Sequence, residues 1–276
     1  MPELPEVETV RKGLEQLVLG KTVDHVIVSW NRIIESPDIE EFKHQLIGET
    51  LHSVSRRGKY LIFHWTHFDM VSHLRMEGKF DYCDADDVVT KHTHVRFVFT
   101  DQSELRYLDV RKFGRLTLLP KDTAENYKGI KKLGPEPTNE MFKLEDFVAK
   151  LKKHKKAIKP LLLEQTLVTG LGNIYVDEAL FMARIHPEQP ANTLTLAEIE
   201  VLHQSIIECL QKAVDAGGTT IRSYKNALGE AGTFQVNLQV YGRNGEQCPN
   251  CGNEIAKIKV AQRGTHLCSI CQRLHD

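Results

Sequence analysis

Apolar residues recur at helical spacing at Val7, Val10, Leu14 and Leu17, and Gly20 follows as a stop. The pattern predicts a helix opening on the stiff, acidic stretch PELPEVE. From there to about residue 118 the periodicity changes. TVDHVIVSW (22–30), KYLIFHW (59–65), HVRFVFT (94–100) and ELRYLDV (104–110) are short and rich in β-branched or aromatic residues. Turn signals such as Arg57-Gly58 separate them, and one short helix, around 38–46, interrupts the series. Strands without long intervening helices favour an antiparallel sandwich or barrel over a βαβ sheet.

LGPEPTNEMF (133–142), with two prolines and a glycine, reads as a linker. Beyond it the pattern is helical over 145–154, 157–167, 173–184 and 196–215. The last helix begins with a capping box, Thr195 and Glu198, and stops at Gly217-Gly218. A glycine-containing loop, 219–238, then leads to a cysteine-bearing tail. The expected fold is therefore α+β with two domains: a strand-rich 1–132, a linker 133–144, a helical 145–238 and a small tail 239–276.

With 276 residues, 41% hydrophobic and 26% charged, the chain has material for two ordinary cores. No apolar run approaches a membrane span, and the first residues lack the basic and apolar regions of a signal peptide. A cytoplasmic, reducing compartment follows as the expectation, which argues against disulfides among the six cysteines. Net charge is −1, so composition alone does not mark a nucleic-acid binder. The charge is uneven, however: KLKKHKKAIK (150–159) is basic, whereas PELPEVE and DYCDADD (81–87) are acidic. Local basic patches bind phosphate even when the total is near zero.

The tail carries the sharpest local signal. Cys248, Cys251, Cys268 and Cys271 form C-x2-C, a sixteen-residue gap and C-x2-C, the spacing of a tetrahedral four-cysteine zinc site. Four thiolates leave no open coordination position, so the metal is expected to be structural, holding a β-hairpin between two knuckles. VAQRGTHLC (260–268) puts Arg263 at that hairpin's turn, where a guanidinium suits phosphate. Cys83 and Cys209 read as small apolar filler. In EQTLVTGLGNIYVDEAL (164–180), glycines form a turn between helices and Asn173 occupies an N-cap position.

A small residue after Met1 favours removal of the initiator, which would leave Pro2 with a secondary amine. α-Amino groups titrate near ~8, so part of the population is nucleophilic at neutral pH. Attack on an aldehydic sugar carbon would give an iminium ion, and Glu3 stands beside it as proton donor or acceptor. The plain alternative is a proline that stiffens a helix entry.

PELPEVET, RRGKYL, SHLRMEG, DVRKFG, GLGNIYVDEALF, LQVYGR and the zinc hairpin with QRGTH occur in one chain in this order. Together they closely resemble the bacterial formamidopyrimidine-DNA glycosylases, over almost the whole length. The resemblance implies an N-terminal antiparallel β-sandwich with a leading helix, a helix-two-turn-helix domain and a zinc hairpin. It implies a monomeric base-excision repair enzyme acting on oxidised purines in damaged duplex DNA, with β,δ-elimination and one structural zinc. By position, Pro2 matches the Schiff-base nucleophile, Glu3 the catalytic acid and Glu6 a supporting carboxylate. Lys59 matches a lysine that contacts phosphate and assists β-elimination, and Arg263 the phosphate clamp that helps δ-elimination. His73, His92 and Asn173 fall on DNA-contact positions, and Lys155 is the candidate for a lysine contact in a run interrupted by His154. Met76, Arg111 and Phe113 match residues that fill the void left by the extruded nucleotide.

Three rival readings are open. An endonuclease VIII type would prefer oxidised pyrimidines, but the PELPEVET opening and the Met76, Arg111, Phe113 set favour the purine enzyme. A non-catalytic zinc-dependent DNA-binding protein leaves Pro2, Glu3 and Lys59 without a purpose. A tautomerase using Pro2 as base leaves the helical half unexplained.

Overall fold

The computed structural model describes residues 1–219 and 233–275, so most of the 219–238 loop lies outside the described residues. Among those described, Met1–Lys131 and Thr219 form one compact unit, and Lys132–Gly218 with the chain from Thr233 form another.

The first unit opens with α1 (Leu4–Val18) and continues through β1 (Val23–Val28), β2 (Ile34–Ser36) and α2 (Ile39–Leu46). Then come β3 (Ser53–Arg57), β4 (Tyr60–His64), β5 (Phe68–His73), β6 (Lys79–Asp84), β7 (Thr93–Phe99), β8 (Ser103–Leu108), β9 (Arg115–Pro120) and the short α3 (Lys128–Lys131). One sheet has the order β1-β7-β8-β6, the other β2-β9-β5-β4-β3. Every pairing is antiparallel except β2 with β9, where Ile34 and Ser36 lie beside Leu116 and Thr117 in parallel. That edge pair joins segments far apart in the chain, so no hairpin constrains its direction.

The core packs α1 against both sheets, with Val7, Leu14, Val18, Phe63, Trp65, Phe97 and Tyr107 at most 1% exposed. The apolar stripe of α1 ends on Val18, while Leu17 is only partly buried, because the face drifts as it follows 3.6 residues per turn. Asp38 caps α2, accepting from the Glu40 and Glu41 amides. All of β8 is buried, including Glu104 and Arg106, which pair with each other while Arg106 also reaches the Asp87 and Val88 carbonyls. The backbone of the acidic 81–87 segment thus closes over the sheet while its aspartates stay exposed.

The second unit contains α4 (Leu144–Leu151), α5 (Ile158–Leu163), α6 (Asn173–Met182) and α7 (Leu196–Asp215), followed by the hairpin β10 (Ala256–Val260) and β11 (Arg263–Leu267). The helices around 145–154 and 157–167 are shorter than the periodicity predicts. Gln165, with a left-handed backbone, ends the second by turning its side chain onto Leu171 O and Gly170 N. The capping box of α7 forms as expected, Thr195 N–H to Glu198 Oε2 at 2.7 Å and Glu198 N–H to Thr195 Oγ1 at 3.2 Å. Gly217 and Gly218, both at positive φ, end that helix. Helix α6 is buried almost all round, although it carries Asp177 and Glu178.

Candidate active site and metal centre

Pro2 is buried immediately ahead of α1, and Met1 before it is 50% exposed. Glu3 occupies the N-cap position and is 2% exposed, as Glu6 is 5%. The Glu3 N–H donates to Glu6 Oε2 at 2.9 Å. Glu6 Oε1 accepts from the Thr219 amide at 2.8 Å and its hydroxyl at 3.2 Å, so Glu6 ties the helix start to the chain entering the 219–238 loop. The positive end of the helix dipole favours both carboxylates there. Burial favours the neutral form of Glu8, yet Arg11 and Arg56 outweigh it and hold its pKa below the usual carboxylate range. The acidic opening is therefore no solvated face: two of its carboxylates are buried and the third is ion-paired.

Lys59 follows Gly58 (φ +56°) in the β3–β4 turn, and it is 7% exposed where a hairpin lysine is ordinarily solvated. His73 ends β5, edge-on to the Tyr60 ring at 4.5 Å. Burial, with the Arg75 and Lys59 charges, lowers its pKa to about 3. The Arg75 amide donates to His73 Nδ1 at 3.0 Å, so the neutral ring carries its proton on Nε2. Because the folded pKa lies below the unfolded value near 6.5, this group's contribution to stability is complete above that pH and declines as pH falls toward 3. In urea titrations at stepped pH, His73→Gln should flatten the loss of stability between pH 6.5 and 5, above the range where carboxylates titrate; an unchanged slope would contradict the assignment.

Met76 is 38% exposed and Phe113 47%, so neither belongs to the core that such residues usually fill. The Arg111 guanidinium lies 4.7 Å over the Phe113 ring. His92 is half-buried just before β7, whereas His94 is buried with Nε2 2.7 Å from Asp109 O. These two histidines belong to no metal cluster among the described residues.

In the second unit, Asn173 is the first residue of α6 and not its cap; Gly172 occupies that position. The glycine turn carries the chain in extended backbone up to Gly172, one residue earlier than the sequence suggests, and this frees the Asn173 amide. Its Nδ2 donates to Gly264 O at 2.9 Å, against the hairpin tip. The two-residue turn is Ala261-Gln262, both at positive φ, and Arg263 is the exposed first residue of β11, paired with Val260. Asn173 and Arg263 are thus brought together through Gly264. Lys155 is exposed on the connection between α4 and α5.

The four tail cysteines converge, with every Sγ within 4.8 Å of the others. Cys248 and Cys271 are 3.9 Å apart, and Cys251 and Cys268 3.5 Å, far beyond a disulfide's ~2.05 Å. Tetrahedral thiolates at ~2.3 Å from zinc lie about 3.8 Å apart, so the donor set fits such an ion. Each knuckle is closed by a backbone bond, Gly252 N to Cys248 O and Gln272 N to Cys268 O, both 2.9 Å. Phe181, Val240 and Ile255 pack against the cluster.

Three family models cover the chain: the formamidopyrimidine-DNA glycosylase N-terminal domain over 1–116, its H2TH domain over 133–225, and a zinc finger found in FPG and IleRS over 245–274. A formamidopyrimidine-DNA glycosylase of Enterococcus faecalis is 65% identical over 99% of this chain and 98% of its own length. The chain belongs to the formamidopyrimidine-DNA glycosylase family. A relative from Latilactobacillus sakei is 54% identical over 99% of the chain and 98% of its length. The Lactococcus lactis Fpg, solved with DNA containing N7-benzyl-Fapy-dG, matches at TM-score 0.94 and 51% identity, covering 99% of this chain and all of that one. The same protein with abasic-site DNA matches at 0.93.

In this formamidopyrimidine-DNA glycosylase fold two further buried groups, Lys159 and Glu178, tie the second unit together. Lys159, the last lysine of the basic run, is 0% exposed, 2.7 Å from both Asp177 Oδ1 and Thr265 Oγ1. Asp177 Oδ2 accepts from the His266 amide at 2.9 Å, so this pair fixes β11 to α6. Glu178 accepts the amides of Gln239, Val240 and Tyr241 at 2.8–3.0 Å, the loop that begins LQVYGR. Neither role has a local motif; a lysine flanked by apolar residues in AIKPLLL is the one hint. No helix among the described residues is long and apolar enough to cross a membrane.

Proposed function

We propose that this member of the family is a bifunctional DNA glycosylase and AP lyase that removes oxidised purines, such as 8-oxoguanine and formamidopyrimidines, from duplex DNA. The observation that carries the reading is the burial of Pro2, whose nitrogen becomes a terminal amine once Met1 is removed, together with that of the Glu3 carboxyl on the next residue. The relatives' complexes with lesion-bearing DNA support the substrate class.

The Pro2 nitrogen attacks C1′ of the flipped nucleotide as the glycosidic bond breaks and the base leaves. Glu3 donates a proton to the ring oxygen O4′ as the sugar opens, giving the iminium between Pro2 and C1′. Being formed on a secondary amine, this iminium has no N–H proton to lose, so it draws electrons at any pH. Loss of a C2′ proton then expels the 3′ phosphate, and a second elimination expels the 5′ phosphate. Glu6 holds the Glu3 backbone while this proceeds. Lys59 and Arg263 neutralise the phosphates that depart. His73, through its Nε2–H, and His92, Asn173 and Lys155 contact the DNA strand. Met76, Arg111 and Phe113 occupy the void in the duplex, and Arg111 pairs with the orphaned cytosine. One zinc per chain, held by Cys248, Cys251, Cys268 and Cys271, keeps the hairpin folded and takes no part in the chemistry. The enzyme acts as a monomer in the cytoplasm.

The test is borohydride trapping on matched duplexes carrying 8-oxoguanine opposite cytosine or an oxidised pyrimidine opposite adenine. A covalent adduct with borohydride and, in parallel reactions without it, a one-nucleotide gap are expected, both formed faster on the purine lesion. Faster reaction on the pyrimidine would establish the endonuclease VIII type instead, and no adduct on either, from protein shown by intact mass to lack Met1, would leave a non-catalytic DNA-binding protein.

A further inference from the structure

The void-filling side chains sit on two loops without regular structure, the one after β5 and the one joining β8 to β9, so something must fix their geometry. The Asp109 carboxylate, 1% exposed, accepts three amides of its own loop: Arg111 at 2.9 Å on Oδ1, and Phe113 at 2.9 Å and Gly114 at 2.8 Å on Oδ2. Its main chain is tied on both sides, the N–H to His92 O at 3.0 Å and the carbonyl to His94 Nε2 at 2.7 Å. Between the anchored amides, Lys112 has φ +59° and puts its ammonium 3.9 Å from the centre of the Trp30 ring. The loop is thereby held at each residue from 111 to 114.

Tyr107 links this loop to the other. Its ring is fully buried, and its hydroxyl has no hydrogen-bond partner among the described residues. A phenylalanine would fill the ring's place without burying a bare hydroxyl. What the hydroxyl does is occupy space: a Cβ on Gly78 would fall 2.2 Å from it, and a Cβ on Gly114 1.6 Å from it. Gly78 lies two residues after Met76, and Gly114 directly follows Phe113. One phenol oxygen therefore sets how closely the Met76 loop and the Arg111–Phe113 loop approach.

We propose that Asp109 and the Tyr107 hydroxyl are positioning residues that fix the Met76, Arg111 and Phe113 set in one geometry. They thereby govern discrimination of the base opposite the lesion without taking part at C1′. The inference rests on the reading of those three side chains under Proposed function. Three amides converging on one buried carboxylate make the Arg111 backbone rigid, and a rigid donor rejects a mismatched partner more sharply than a mobile one.

The experiment compares wild type, Asp109→Asn, Tyr107→Phe and Arg111→Ala. Two readouts are taken: the ratio of kcat/KM for 8-oxoguanine opposite cytosine to that opposite adenine, and the rate of borohydride trapping on a single-stranded abasic oligonucleotide, which has no opposite base. Asp109→Asn keeps one carbonyl acceptor and turns an N–H2 toward amide donors. It should lower the ratio roughly tenfold, while trapping on the single strand stays within about twofold of wild type. Tyr107→Phe, which keeps the core ring, should lower the ratio by roughly threefold and serves should Asp109→Asn not fold. If Arg111→Ala lowers the ratio and neither of the other variants does, the positioning role is overturned. A parallel fall of both readouts also overturns it, because that is general destabilisation. An unchanged ratio in Arg111→Ala itself would instead remove the reading of Arg111 on which the inference stands.

Discussion

Trapping with borohydride should scale with the fraction of molecules that have lost Met1, and Pro2→Gly should lower adduct formation by roughly a thousandfold or more. With Met1 attached, the Pro2 nitrogen is a tertiary amide whose lone pair is delocalised into the carbonyl, so it cannot attack carbon. Removal of one residue converts it to a secondary amine with a pKa near ~8, mostly one proton away from being a nucleophile at neutral pH. Met1 is half exposed, which leaves it reachable for such removal. Intact mass and trapping yield, measured on the same samples, give the correlation directly.

Glycine at position 2 would still carry an amine, so this substitution tests placement and electronics together. The pyrrolidine ring restrains the approach of the nitrogen at a terminus that otherwise frays. It also gives an iminium that is charged without protonation, whereas a glycine imine must first gain a proton to act as an electron sink. Glu6 and the Glu3 backbone remain in place in the variant, since Glu6 is bonded to the Glu3 N–H and to Thr219 and not to residue 2. An adduct formed undiminished by Pro2→Gly, or formed equally by a sample that retains Met1, would place the nucleophile elsewhere.

What was readable in the sequence, and what was not, follows the range of each interaction. The α1 stripe and the Thr195–Glu198 box are settled within a few residues, and both are where the pattern puts them except for the last position of the stripe. The four cysteines were legible because coordination imposes a spacing. The change from Leu17 to Val18 needed only helical drift, but the shorter α5 depended on how Gln165 folds back on a turn. Lys159 meets Thr265 across 106 positions of sequence, and nothing near either residue marks the encounter. The burial of Lys59 in a hairpin turn was likewise hidden, because turn chemistry predicts exposure and the tertiary environment overrides it. Asp109 is a different case: its three acceptor contacts lie within five residues, yet an aspartate before a turn has no pattern that separates an anchor from a solvated residue.

Cys248→Ser should lose the metal and the affinity for duplex DNA together, with bound zinc falling from one per chain to near none and the dissociation constant rising roughly a hundredfold. The hairpin it supports has strands of five residues each, too little for an isolated two-stranded ribbon to stay folded. Apart from the thiolates, it is held by Phe181, Val240 and Ile255 around the cluster and by the Lys159–Asp177 pair at the other end. Losing one thiolate leaves Cys268 and Cys251 to crowd each other without a cation between them, so the knuckles open and the apolar contacts go with them. Arg263 then no longer stands at a fixed tip, and the Asn173 bond to Gly264 that aligns the tip with α6 loses its partner. Cys209→Ser serves as the control, because that thiol is buried in α7 and is not among the four cysteines that converge as a metal site. Fluorescence anisotropy with a lesion duplex, run beside metal analysis, distinguishes the outcomes. Tight DNA binding by metal-free Cys248→Ser would mean that the hairpin folds on its packing alone, and that the ion contributes nothing to recognition.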